Sequence, residues 1–484
     1  MSSKGMDHVP RSGAQPETLS IPPTPAGRRL TDYLDAFNNA ADIALMRGFI
    51  ADHYAPPALI QRSADQRAAG DASLYSFTHG FDLRRIEQST DHHLAALLQA
   101  RLDGHWARLS LDVEKGSPHR IAAIGIFPTP RPPDAGPRVR MGAEEILQAL
   151  AAHVETLIAA DVFSGAVLVA KDGAPVFTAA RGLASISYDV PLRLDTKMNV
   201  GSMNKMVTAV AIVQLAERGK LAFDDRISAY LPTYPQGVAD KVTIHHVLTH
   251  TAGLGSFWNE KFEAAKARLR TVSDFLPLFV EDPLSFEPGE RWQYSNAGYI
   301  VLGAIIEAIT GLSYFDYVRE SIYRPAGMDN TDAYEMDRET PNLAQGYTHV
   351  GLTGVFEPGP RRNNLFMHTV KGGPAGGGFS TVEDLLRFDC ALRTHTLLSP
   401  RSTETLLAGK VDIPGMPEGR YAYGFHDERI NGQRVVGHSG GFRGINGQLD
   451  MYLDRGYTLA VLANYDPPAA QLIANKLRDM MTQE

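Results

Sequence analysis

The 484 residues are 44% hydrophobic and 21% charged, globular material long enough for two or three domains rather than a disordered or fibrous chain. A formal net charge of −8 without any sustained basic run argues against a nucleic-acid partner. The single cysteine, Cys390, excludes an intrachain disulfide and any cysteine-based metal site.

In chain order, residues 1–28 are rich in Pro, Ser and Gly and lack the apolar core of a secretory signal, which predicts a disordered tail and a cytoplasmic chain. No run approaches the roughly 18 apolar residues of a membrane span. Between Leu30 and Tyr54, Leu34, Phe37, Leu45, Phe49 and Ile50 recur at near-helical spacing, and Asn38-Asn39 divides them into two helices. After the turn Asp103-Gly104, the stretch His105–Val113 alternates and puts Ala107, Leu109, Leu111 and Val113 on one face. Lys115–Pro118 then turns the chain into a second strand, His119–Phe127. Helices followed by a meander predict a small α+β accessory domain over residues 29–128, which resembles the NTF2-like or cystatin-like cone folds. The pair His92-His93 has no carboxylate at ligand spacing and reads as surface rather than as a metal site. The proline-rich residues 129–138 are a stiff linker and place a domain boundary there.

Residues 139–484 form the second domain. A helix over Ala143–Ala160 leads into a hairpin, Ser164–Ala170 and Ala174–Ala180, turned by Lys171-Asp172-Gly173. The next helix is predicted from Ser202 to Arg218, closed by Gly219, and is apolar on nearly every face, the mark of a buried helix. Its first turn nevertheless carries the hydroxyl of Ser202 and the ammonium of Lys205, three residues apart and so able to meet. A serine at a helix N-terminus, where the dipole favours developing negative charge, with an amine beside it, is a nucleophile with its base. About one Ser-x-x-Lys match is expected by chance in a chain of this size, so position rather than the motif alone gives it weight. Helices and loops are expected over residues 221–398, then strands near Tyr421–Phe425, Gln433–Gly437, Asn446–Leu453 and Thr458–Asn464, and a final helix over Ala469–Met481. That order predicts an antiparallel sheet built from both ends of the domain beside an inserted helical lobe.

Three further clusters carry possible chemistry. Gly437-His438-Ser439-Gly440-Gly441 matches the G-x-S-x-G nucleophile elbow, but an elbow serine is followed by a helix and later by a histidine. Here Phe442–Leu449 reads as turn and strand, and no histidine follows His438. Tyr294-Ser295-Asn296 precedes the apolar helix Ala297–Thr310, and a phenol there acts as a base only if neighbouring positive charge lowers its pKa. His245, His246 and His250 lack the glutamate of H-E-x-x-H and read as structural histidines.

Taken together, Ser202-Met203-Asn204-Lys205, Tyr294-Ser295-Asn296 and His438-Ser439-Gly440-Gly441 resemble the three ordered motifs of the serine β-lactamase and penicillin-binding-protein family, especially its class C β-lactamase and D-alanyl-D-alanine carboxypeptidase branch. Val247–Leu254 and Gly376–Leu385 resemble that family's recurring segments, and the likeness runs from about Gly142 to Met481. The resemblance implies an α+β fold of an antiparallel sheet flanked by helices with a helical lobe. It makes Ser202 the acylated nucleophile, Lys205 and Tyr294 the proton-relay pair, and Asn296 a donor to the substrate amide. His438 and Ser439 would line the opposite wall, with Gly440 beside them, and the backbone N–H groups of Ser202 and Gly441 would form the oxyanion hole. His438 stands where many β-lactamases carry lysine; a neutral imidazole holds a β-lactam carboxylate less well, and His438→Lys is expected to improve cephalosporin turnover. The resulting expectation is a serine hydrolase forming an acyl-enzyme on amides or esters, D-amino-acid peptides or small esters, with no metal and no cofactor. Its partner is a small-molecule or short peptide substrate. A true β-lactamase and a catalytically silent binding scaffold are the alternatives.

Overall fold

Thr24 caps a helix that starts with proline, whose fixed φ suits a first helical turn: the Thr24 hydroxyl accepts from Gly27 N at 3.0 Å, and α1 runs Pro25–Phe37. The tail expected over residues 1–28 therefore includes the start of a helix, because Leu30, Tyr33, Leu34 and Phe37 bury one face of it. The computed structural model describes residues 20–132, 135–136, 141–416, 418–430 and 432–481. Residues 1–19 of the tail and 133–134 and 137–138 of the linker lie outside them. Two compact units result, Met1–Ala135 and Gly136–Glu484.

In the first unit α1 is followed by α2 (Ile43–His53), α3 (Pro56–Gln61) and α4 (Ala64–Thr78), then by an antiparallel meander of β1 (Phe81–Ser89), β2 (His93–Ala100), β3 (Trp106–Val113) and β4 (Ile121–Pro128). On β3 the alternation holds: Ala107, Leu109, Leu111 and Val113 are all buried. Sequence reading omits β1, whose pairing with β2 shifts register twice, between Leu83 and Arg85 and between Ile86 and Gln88, and so breaks the period of two. His93 bonds Asp112 Oδ1 through Nδ1 at 2.7 Å, a cross-strand pair between β2 and β3.

The second unit opens with α5 (Ala143–Ala159) and the hairpin β5 (Gly165–Lys171) and β6 (Ala174–Arg181). Three helices matter for the site or its support: α6 (Asn204–Glu217), α7 (Asn296–Thr310) and α8 (Val382–Arg393). The chain then adds β7 (Val411–Asp412), β8 (Gly419–Tyr421), β9 (His426–Ile430), β10 (Gln433–Phe442), β11 (Ile445–Tyr452) and β12 (Tyr457–Ala463), and closes with α9 (Ala469–Met481). Strand order is β7-β8-β9-β10-β11-β12-β5-β6, every neighbour antiparallel. Both ends of the unit thus meet where β12 pairs with β5, Ala463 opposite Gly165. The strand expected at Tyr421–Phe425 ends instead at Tyr421, because the chain turns at Gly424 (φ +77°), where a Cβ would stand 2.7 Å from Ala209 Cβ. Among the described residues no single helix is long and apolar enough to cross a membrane; α6 and α7 are apolar because they are the buried centre of the helical lobe.

Candidate active site

Ser202 does not begin an α-helix. Gly201, at φ +52°, opens a 3-10 turn over Gly201–Met203, and α6 starts at Asn204, so the serine sits on a tight turn packed against the end of β10. The packing explains the glycines of the third motif. A Cβ at Gly440 would lie 2.0 Å from Val200 O and 3.2 Å from Ser202 N, and one at Gly201 would lie 3.0 Å from Gly441 N. The backbones carrying Ser202 N and Gly441 N are thereby brought side by side, the pair from which an oxyanion hole can be built. Gly376–Gly378 closes the other side: Val200 N donates to Gly378 O at 2.8 Å and Gly378 N to Asn204 Oδ1 at 2.8 Å.

Lys205 is fully buried. Its Nζ lies 3.2 Å from Ser202 Oγ, 2.7 Å from Asn296 Oδ1 and 2.6 Å from Ala375 O. Burial holds the amine well below its ordinary 10.5. A neutral amine has two N–H donors and one lone pair. Lys205 Nζ donates to Ser202 Oγ as well as to Asn296 Oδ1 and Ala375 O; once the amine gives up a proton, the two acceptor-only oxygens keep both remaining donors and the lone pair is left for the hydroxyl proton of Ser202.

Tyr294 and Asn296 flank Ser295, the N-cap of α7, whose hydroxyl accepts from Gly298 N at 3.0 Å. The cap therefore presents one residue on either side of itself to the serine. The Tyr294 hydroxyl is hydrogen-bonded to Ser202, yet burial raises its pKa above the ordinary 10.0. A phenol with a raised pKa stays protonated and is suited to donating a proton rather than abstracting one. His250 supports it: Ser295 N donates to His250 Nδ1 at 3.1 Å, and the imidazole packs on Tyr294 and Tyr421 with centroids 4.4 and 4.6 Å away. His245 bonds the Tyr423 hydroxyl at 2.9 Å, and His246 Nδ1 accepts from Thr243 N at 3.3 Å, so the three histidines point to separate partners.

A cavity of about 390 Å³ opens above Ser202, within the usual range for small-molecule sites. Ser202, Tyr294, Asn296 and Gly441 line it. His438 and Ser439 do not. The His438 ring is 2% exposed; its Nε2 lies 3.0 Å from the Tyr421 hydroxyl and its Nδ1 2.5 Å from Ser439 O. Burial first, then the neighbouring His426 and Lys205, keeps it neutral. The His438 ring packs against Tyr421 and His426, with the Tyr294 ring 6.4 Å away, while Gly440 and Gly441 make the contact with the Ser202 turn. Ser439 is in mid-strand register with Gln448, which rules out the elbow geometry. Sequence reading also missed the apolar lining: Phe257, Trp258, Phe275, Ile300, Phe442 and Ile445. Phe442 directly follows the third motif, and Trp258 is one of three tryptophans; these were the available signals.

This fold and site define a class, and the comparisons agree. The model of the β-lactamase family matches residues 150–480. A penicillin-binding protein of Bacillus subtilis (strain 168) is 32% identical over 321 residues, 64% of this chain and 70% of that protein. Esterase EstB of Burkholderia gladioli is 38% identical over 176 residues, 33% of this chain and 44% of that protein. The crystal structure of a penicillin-binding protein from Bacillus halodurans superposes with a TM-score of 0.61 at 32% identity, covering 67% of this chain and 98% of that one. The chain belongs to the β-lactamase family and is a serine hydrolase of that fold.

Proposed function

We propose that the chain hydrolyses carboxylic esters or amides through an acyl-enzyme on Ser202. The observation that carries this reading is the setting of Lys205: a fully buried amine, held below its ordinary pKa, 3.2 Å from Ser202 Oγ, with Asn296 Oδ1 and Ala375 O to accept from it. As Oγ attacks the carbonyl carbon, its proton passes to Lys205 Nζ, and the oxyanion turns to the backbone N–H groups of Ser202 and Gly441. Collapse breaks the bond to the leaving oxygen or nitrogen, which takes a proton from the Tyr294 hydroxyl; the Lys205 ammonium returns a proton to Tyr294. Water then repeats the sequence, with Lys205 taking the water proton and Ser202 Oγ leaving protonated. A high phenol pKa suits Tyr294 to donation rather than to abstraction. Asn296 has its oxygen on Lys205, which leaves its amide N–H₂ for the substrate carbonyl side.

The matching relatives carry names of both penicillin-binding and esterase type, which keeps ester and amide in view together. A fluorophosphonate probe followed by peptide mapping tests the reading on the full chain. Label on Ser202, lost in Ser202→Ala together with ester hydrolysis, is the expected result. Label on Ser439 instead, or undiminished turnover by Ser202→Ala, sinks it.

A further inference from the structure

Among the described residues, those that line the cavity include no Lys, Arg, Asp or Glu. Basic side chains nearby in sequence are engaged elsewhere. Lys371, two residues after Thr369, bonds Glu335 at 3.3 Å and lies 4.1 Å from the centroid of Phe315. Arg443 follows Phe442 and does not line the cavity; its guanidinium lies 5.8 Å from the Phe442 ring centroid and reaches toward Gly354, where a Cβ would stand 3.4 Å from Nη2. The one imidazole of the lining, His368, donates from Nδ1 to Thr369 O at 2.9 Å and is kept neutral by burial. Facing Ser202, Trp258 stacks on Phe442 with centroids 5.0 Å apart and planes 22° from parallel, and Phe257 meets Phe275 at 5.3 Å.

A carboxylate or an ammonium laid against this lining gives up part of its water and gains no counter-charge from the residues it touches. Aromatic and branched groups gain contact on the Trp258 and Phe442 faces instead. Resting on the acyl-enzyme reading above, we infer that the substrate is uncharged on both sides of the scissile carbonyl, an ester or N-acylated amide that lays an aromatic or branched apolar group against the wall formed by Trp258 and Phe442. Substrates ending in a free carboxylate, as peptides and β-lactams do, and substrates with a free α-amine are then disfavoured alike.

The test is a matched series on the full chain. The p-nitrophenyl ester of phenylacetic acid is compared with the same ester carrying a para-carboxylate on the acyl ring, and N-acetyl-D-phenylalanine 4-nitroanilide with its free-amine counterpart, above the amine's pKa and below it. We expect kcat/KM to favour the uncharged member of the first pair at least about a hundredfold and the acetylated member of the second about tenfold below the amine's pKa. Trp258→Ala should lower kcat/KM on the phenylacetyl ester at least about tenfold more than on the acetyl ester, with Trp258→Phe restoring most of the difference. Thr369→Lys, placing a cation on the lining, should shift the ratio of the carboxylated to the plain ester by about tenfold toward the former. Equal or faster turnover of the charged members by wild type overturns the inference. Probe labelling of Ser202 reports separately on the acyl-enzyme reading, so a labelled enzyme that prefers charged substrates fails only here.

Discussion

Lys205→Met keeps the volume of the stem and removes the amine, and so separates proton chemistry from packing. Loss of the base is expected to lower kcat/KM at least about a hundredfold. The variant leaves Asn296 Oδ1 and Ala375 O without their donor but also removes a desolvated amine, so its Tm should move little. The same residue sets the pH dependence. Because the folded pKa lies below 10.5, the unprotonated base gains population as pH rises through that lower value. The kcat/KM of wild type on a neutral ester should therefore climb to a plateau on the alkaline side, and the Lys205→Met variant should lack that limb. His438 behaves differently from its expectation in the sequence. His438→Lys would place a cation behind the wall, among His426, His250 and Lys205, where it meets no substrate. It should lower Tm and leave the ranking of cephalosporin against ester as in wild type; a cephalosporin gain would show that the side chain reaches the cavity after all.

Elements meet at this site by backbone, and glycines decide how closely. Gly440→Ala would drive a methyl group into Val200 O, so β10 and the Ser202 turn must separate. Activity is expected to fall at least about a hundredfold, as for loss of an oxyanion donor, with a lower Tm. Gly237 offers the control: nothing lies within 4 Å of its built Cβ, and it sits in the short helix Gln236–Ala239. Gly237→Ala should raise stability by about 0.5 to 1 kcal/mol without touching the rate. Another link joins α9 to the sheet. Arg478 on α9 grips Asp450 of β11 through Nε at 2.6 Å and Nη2 at 2.7 Å, with Glu428 of β9 3.4 Å from Nη1. Asp450 is fully buried, so Arg478→Met strands its charge and should cost about 3 to 5 kcal/mol in denaturant unfolding.

At the scale of the molecule, the buried histidines of the second unit and a buried carboxyl of the first respond to pH with opposite sign. In the second, burial and then the Arg478 charge push His426 down to about 4, and His250 and His438 are lowered by burial as well. Unfolded histidine takes up a proton near 6.5 while folded His426 does not, so its stabilisation is complete above about 6.5 and is lost as pH falls toward 4. One such group accounts for about 3 kcal/mol across that window. In the first unit Asp71 is raised to about 6, by burial that outweighs the hydrogen bond from Tyr33 and the nearby Arg62 and Arg67. Its folded form holds a proton that the unfolded form releases near 3.8, so this contribution is present in acid and disappears as pH rises through about 6. Thermal unfolding of the full chain between pH 4 and 7, wild type against His426→Gln, should show the variant lacking about one proton of the dependence that favours the folded state at higher pH.

What the amino-acid order determined by itself was local. Ser202 and Lys205 meet because they are three residues apart on a tight turn running into a helix, and Tyr294 and Asn296 flank an N-cap that serine and an apolar run announce. Alternation on β3 and the apolar faces of α6 and α7 are likewise written in short spacings. Strands without that signature stayed hidden: β9 is half-buried along most of its length and carries charge on both faces. Only tertiary structure decided the rest. The pKa of Lys205 is lowered by burial, and the groups that close over the amine are Asn296, 91 residues away, and Ala375, 170 away. The side of β10 that His438 faces, the stacking of Trp258 on Phe442 and the absence of charge from the cavity lining depend on packing between distant segments. Burial and the distance to a counter-charge are properties of that packing, and no spacing along the chain contains them.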